Sequence, residues 1–175
     1  MSHGSPLSIN YEKLESLLSH GLWKEADQET NQLLEKIKTV ETRRLDQDFS
    51  FRASDDIKII DKLWTNFSKN HFGLSVQYEI YKSWGGLDNL YKTKPQVWSD
   101  FCKEVGWYKQ GPPRVGSQGP VISDNALIFS LDAPRGHLPS FVKRTEWNQF
   151  GEGRMVDFSG NKGWQWNHII DRLNA

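Results

Sequence analysis

A chain of 175 residues with 22 basic and 22 acidic side chains has no net charge when its histidines are neutral, which argues against a dedicated nucleic-acid binder, whose affinity rests on excess cations facing phosphate. A single cysteine, Cys102, excludes an internal disulfide or a cysteine-based zinc site and fits a reducing compartment, and no apolar run is long enough to span a membrane. Eight Trp, nine Phe and five Tyr stand out, because such flat apolar side chains serve either a core or a flat ligand.

Residues 1–9 read as a mobile leader and 10–175 as one domain. The N-terminus, MSHGSPLSIN, has neither a signal peptide's apolar stretch nor an Arg-rich amphipathic character, so a cytoplasmic protein is expected. Asn10 can cap a helix carrying Leu14, Leu17 and Leu18, with Gly21 as its left-handed terminator. A second helix carries Trp23, Ala26, Leu33, Leu34 and Ile37, so Tyr11–Ser19 and Leu22–Lys38 form a short-looped hairpin. The hairpin resembles one tetratricopeptide-type repeat, but no second copy follows and a solenoid is not expected. Residues 39–53 read as a charged, irregular loop that pins Phe49 and Phe51 onto the domain.

The stretch from Ser54 to Trp84 organises the chain. Ser54 is placed as a helix cap, Asp55 and Asp56 suit the positive end of the dipole, and Ile57, Ile60, Leu63 and Phe67 make one apolar stripe. The polar turn Ser68–His71 and the pair Phe72-Gly73 separate it from a second apolar segment beginning at Ser75. There Val76, Ile80 and Trp84 fit a helix, while Leu74, Val76, Tyr78 and Ile80 fit a strand equally well. Two aromatic-rich elements joined by a glycine turn make a core corner or one wall of a groove.

After Gly85-Gly86 and the connector Leu87–Lys94, Pro95 opens the clearest helix, with Trp98, Phe101, Cys102 and Val105 on one face and Gly106 at its end. Gln110–Pro120 lacks the spacing of a phosphate-binding loop. Ala126–Leu131 is a short apolar run, either a buried helical turn or a small strand, and the prolines and glycine of Ala133–Pro139 impose a turning path. Ser140–Gly163 is irregular and aromatic-rich, a kind of segment that tends to be functional or mobile. A last helix carries Trp166, Ile169, Ile170 and Leu173. The fold class expected is all-α.

No catalytic set assembles. The five histidines lack metal-helix spacing, no G-x-S-x-G elbow is present, and Cys102 falls on a buried helix face. His137, in the Pro-Gly turn, is expected to bond backbone rather than a metal. Binding is the better expectation. Phe72, Leu74 and Trp84 near the glycine turn, Trp147, Phe150 and Phe158 in the late loop, and the cations Lys143, Arg144 and Arg154 suit a large, flat, apolar ligand with acidic groups at its edge. Each large side chain buried on such a ligand contributes roughly 1.5–3 kcal/mol. A porphyrin with its propionates fits that description, as does a peptide helix.

Several runs carry a family resemblance: Gly21–Thr30 (GLWKEADQET), Asp56–Trp64 (DIKIIDKLW), Phe72–Gln77 (FGLSVQ), then Trp98–Phe101, Val105–Trp107, Phe129–Leu131 and Ala133–Pro139 (APRGHLP). Over about residues 10–140 the chain resembles the Genomes-uncoupled family of tetrapyrrole-binding regulators of magnesium chelatase. The resemblance implies a helical domain shaped like a cupped hand, with no catalytic activity and no required cofactor. Its groove would bind protoporphyrin IX or Mg-protoporphyrin IX, and its partner would be the large porphyrin-handling subunit of magnesium chelatase. Haem is the alternative ligand, and the edge of photosynthetic membranes the alternative location.

The porphyrin-binding residues implied are Phe49, Leu63, Thr65, Phe72, Leu74, Val76 and Leu138 on the groove wall and turns, with Trp147, Trp164 and the cations Arg144, Arg154 and Arg172 from the last third. Leu74 stands where the family often has an aromatic, and Thr65 where it often has an apolar residue. Two other readings stand beside the regulator: a divergent paralogue sensing haem or another tetrapyrrole, and an interaction module in which the hairpin and aromatic loop bind a partner helix. A small tetrapyrrole enzyme is the weakest, for want of an acid–base or metal set.

Overall fold

The computed structural model describes residues 9–43, 48–86, 95–107, 127–140 and 166–174. These form helices α1 (Glu12–Ser19), α2 (Trp23–Arg43), α3 (Asp48–Ser68), α4 (Leu74–Ser83), α5 (Pro95–Glu104) and α6 (Trp166–Leu173), and no strand. The fold is all-α, as the 3.6-residue spacing of the apolar positions requires.

α1 and α2 pair as a hairpin. The Asn10 side-chain oxygen accepts the Glu12 amide at 2.8 Å and starts α1. Gly21, at φ +67°, ends it: its amide donates to Leu18 and the Leu22 amide reaches back to Leu17 at 3.0 Å. That double closure satisfies carbonyls a helix end would otherwise leave open, and the same pattern ends α4 and α5.

α3 is the central helix, packed by α1, α2, α4 and α6, while α5 and α6 also pack on α4. Its inner face, Ile57, Ile60, Leu63 and Trp64, meets Leu14 and Leu18 of α1, Trp23, Ala26, Leu33, Leu34 and Ile37 of α2, and Ile169 and Ile170 of α6 in one buried core. Burial of each large side chain stabilises the fold by about 1.5–3 kcal/mol. Trp64 lies 6.0 Å from Trp23 in a stacked pair, and Phe72 fits edge-on against both.

Three expectations are corrected. Residues 39–43 and 48–53 are helical, not an irregular loop: α2 continues to Arg43 and α3 begins at Asp48. Ser54 therefore does not cap α3 but lies buried inside it, small enough for a core-facing position. Residues 127–131 form neither a buried helical turn nor a strand, because the Ser130 hydroxyl and carbonyl accept the Asp132 and Ala133 amides and set a turn. Ile128 and Leu131 there are 46% and 52% exposed. The helix-or-strand ambiguity after Gly73 resolves as helix α4. Residues 1–8 of the leader, the connector 87–94, the glycine-proline loop and residues 141–163 of the aromatic segment lie outside the described residues, while Ile9, read as leader, packs against the core and Ser140 is buried.

Candidate functional site

The corner between α3 and α4 is built by side chains that bond backbone. The Ser68 hydroxyl donates to the Trp64 carbonyl at 2.7 Å and accepts the Phe72 amide at 2.9 Å. Lys69 and Asn70 turn through positive φ, 55° and 60°. Gly73 follows at φ +134° and ψ 161°, a region essentially reserved for glycine. A Cβ there would lie 2.7 Å from Thr65 Cγ2 and 3.0 Å from an Asp61 carboxylate oxygen. That carboxylate accepts the Ser75 amide at 2.9 Å, so α3 supplies the cap of α4. Burial holds the Asp61 carboxyl above the usual carboxylate range, with the bonds from Ser75 and Leu74 opposing the shift and the charge of Glu79 adding to it.

Residues 133–140 form a strap across this corner, with a cis peptide at Leu138–Pro139. The Gly73 amide donates to the Leu138 carbonyl at 3.0 Å and the Gly136 amide to the His71 carbonyl at 2.8 Å. Gln77 Nε2 bridges the carbonyls of Gly136 and Pro139 at 3.0 and 2.9 Å. Trp107 Nε1 donates to the His137 carbonyl at 2.8 Å, and Ser140 binds the Asp27 carboxylate through its amide and hydroxyl. His137 bonds backbone at both ring nitrogens, as its place in the Pro-Gly turn predicts. α2, α4, the α3–α4 turn and Trp107 are thus joined through one short segment.

Thr65, Phe72, Leu74 and Leu138 meet around Gly73, but they present different surfaces. Thr65 is partly exposed, its hydroxyl turned back to the Asp61 carbonyl at 3.0 Å. Leu63, Phe72, Leu74, Val76 and Leu138 are core residues with almost no solvent-facing surface. Arg172 is half-buried in the last turn of α6, which packs on α3 and α4. Phe49 lies in the first turn of α3, with its side chain outside the described residues, where Arg144, Trp147, Arg154 and Trp164 also fall.

Sequence reasoning missed the buried polar residues that fix this geometry: Asp27, Asp61 and Ser140, and the role of Gln77. A signal was available, since Asp61 interrupts the stripe of α3 four residues after Ile57, as Thr30 does four after Ala26. Thr30 Oγ1 accepts the indole N–H of Trp64 at 2.9 Å. Cys102 is buried, and burial pushes its thiol well above the usual range. Among the described residues no group of three or more His, Cys, Asp or Glu gathers to hold a metal ion, and no helix is long and apolar enough to cross a membrane.

The GUN4-like family model matches residues 4–154. A protein named ycf53 from Pyropia yezoensis is 31% identical over 141 residues, 78% of this chain and 52% of the relative. Its counterpart from Cyanidium caldarium is 27% identical over 138 residues, with 77% and 52% covered. The chain therefore spans about half the length of the curated relatives it matches. Among solved structures, GUN4 from Chlamydomonas reinhardtii aligns with a TM-score of 0.55 and 30% identity, covering 80% of this chain and 86% of that one. Ligand-free GUN4 from Arabidopsis thaliana aligns at 0.52 and 24% identity over 76% and 85%, a likeness of fold alone. With a family match over most of its length and the fold to go with it, the chain belongs to the GUN4-like family.

Proposed function

We propose that this protein is a non-catalytic tetrapyrrole-binding regulator that takes up protoporphyrin IX or Mg-protoporphyrin IX and acts with the large subunit of magnesium chelatase. The observation that carries the reading is the family match over residues 4–154, which spans the corner and the strap. The residues present fit one part of such a ligand. Thr65 offers partly open surface at a corner whose neighbouring groups are already engaged, so a macrocycle edge can rest there without breaking a hydrogen bond. Leu63, Phe72, Leu74, Val76 and Leu138 stiffen that rim from beneath. The flat face then falls to Trp147 and Trp164, and the propionates to Arg144, Arg154 and Arg172, since a guanidinium–carboxylate bond contributes about 1.5–3 kcal/mol.

The test is a titration of the full chain with protoporphyrin, Mg-protoporphyrin and haem, followed by the Soret band and by Trp fluorescence. Saturable binding with a preference for the magnesium form supports the reading. Preference for haem turns it toward a sensor, and no binding to any of the three overturns it.

A further inference from the structure

The strap is tied to the segment before it through an imidazole. His137 is fully buried, and backbone holds its ring at both nitrogens: Nδ1 is 2.7 Å from the Val105 carbonyl oxygen and Nε2 is 2.9 Å from the Ile128 amide nitrogen. A carbonyl only accepts and an amide N–H only donates, so Nδ1 carries the proton and Nε2 presents its lone pair. This is the neutral ring. An imidazolium has donors at both nitrogens and would set an N–H against the N–H of Ile128. The segment secured by that bond carries exposed Ile128 and Leu131, and holds Leu127 and Phe129 against the core.

We propose that His137 is a pH-responsive latch: proton uptake at Nε2 expels the Ile128 amide and frees residues 127–131 from the strap, uncovering Leu127 and Phe129.

The surroundings favour such a response. Gly106 closes over the ring, since a Cβ there would lie 3.1 Å from Nδ1. The elements packed around it carry Asp100, Cys102, Lys103 and Glu104 on α5, Glu79 and Lys82 on α4, His71 in the corner, Asp27 on α2, and Asp132 and Arg135 on its own segment. Asp100 engages Gln96 and Lys103, and Glu79 engages Arg135. Asp132 engages Ser130, Asp27 engages Ser140, and His71 engages the Ala133 carbonyl. Lys82 and Glu104 are exposed, and the Cys102 thiol is buried and neutral. Burial pushes the imidazole below the ordinary histidine range, opposed by the bond to Val105.

A ring buried in its neutral form favours the latched state above about pH 6.5, the value of a free histidine, and loses that contribution as pH falls. The experiment is amide hydrogen exchange by NMR on the full chain between about pH 7.5 and 4.5, corrected for intrinsic rates. One proton taken up on opening lowers the protection of the Ile128 amide about tenfold per pH unit below about 6.5, at a protection well below that of Ile60, which exchanges only when the whole fold opens. Ring nitrogen shifts at neutral pH show the Nδ1–H tautomer. His137→Gln removes the pH dependence; if that variant does not fold, the parent protein's exchange decides alone. Constant protection at Ile128, protection equal to that of Ile60 across the pH range, or an Nε2–H tautomer overturns the latch.

Discussion

Ser140 gives both of its donors to one carboxylate, its amide to Asp27 Oδ1 and its hydroxyl to Asp27 Oδ2 at 2.8 Å, across 113 positions of chain. Asn31, one turn further along α2, donates in return to the Ser140 carbonyl at 3.1 Å. Asp27→Ala strands two buried donors and should lower the unfolding free energy by about 3 kcal/mol, whereas Ser140→Ala loses only the hydroxyl bond and should cost about 1–2 kcal/mol. Urea denaturation of both variants checks the order. A smaller loss for Asp27→Ala would show that the carboxylate does not anchor the strap.

Gly73 combines two constraints, a backbone at φ +134° and an approach to Thr65 Cγ2 too close to admit a methyl. Gly73→Ala should destabilise by about 2–3 kcal/mol. Adding Thr65→Ser removes the methyl but leaves the dihedral, so it should recover only part of that loss. Full recovery would assign the whole cost to the contact.

Asp61 gives a pH-dependent test. Burial raises its folded-state pKa above that of the unfolded chain, so the ionised carboxylate works against folding above the folded value. The penalty fades as pH falls through that value and is gone below about pH 4, where both states are protonated. Asp61→Asn keeps an oxygen for the Ser75 amide without the charge. Its Tm should exceed the parent's at pH 7, with the gap closing toward pH 4; a lower Tm at neutral pH contradicts this.

Binding at the corner is best tested at Thr65. Leu74 has no exposed surface, so Leu74→Asp would bury a charge and report on folding instead. Thr65→Leu adds apolar surface where the hydroxyl serves only its own helix. Protoporphyrin affinity should rise about tenfold, equivalent to roughly 1.4 kcal/mol, while thermal stability stays within a degree or two. Unchanged affinity would remove Thr65 from the proposed rim.

The helices were legible because Leu14, Leu18, Ile57, Ile60, Phe101 and Ile169 recur at helical spacing and glycines close several of the ends. The start of α3 was not, since Ser54 and the two aspartates after it imitate a helix N-terminus while lying inside a helix that begins six residues earlier. Beside Gly73, Phe72 and Leu74 fit either a core corner or a groove wall, and only the family resemblance placed them on a groove. Whether such a residue faces a groove or the core depends on what packs against it, and here Trp23 and Trp64 meet Phe72. The strap was legible only as a turning path. Its helix and turn partners lie 30 to 113 positions away and leave no periodic trace.

The strap also orders the protein's birth. On the ribosome, α1 to α4 emerge well before residues 136–140, and until those arrive the Asp27 carboxylate and the Gln77 amide lack the strap groups they hold in the finished fold. Buried polar groups without those partners oppose compaction, so the N-terminal half should pack less tightly until the strap arrives. Nascent chains that do not yet expose residues 136–140 should therefore be more open to proteases and chaperones than chains that also expose α6, whose Ile169 and Ile170 complete the core.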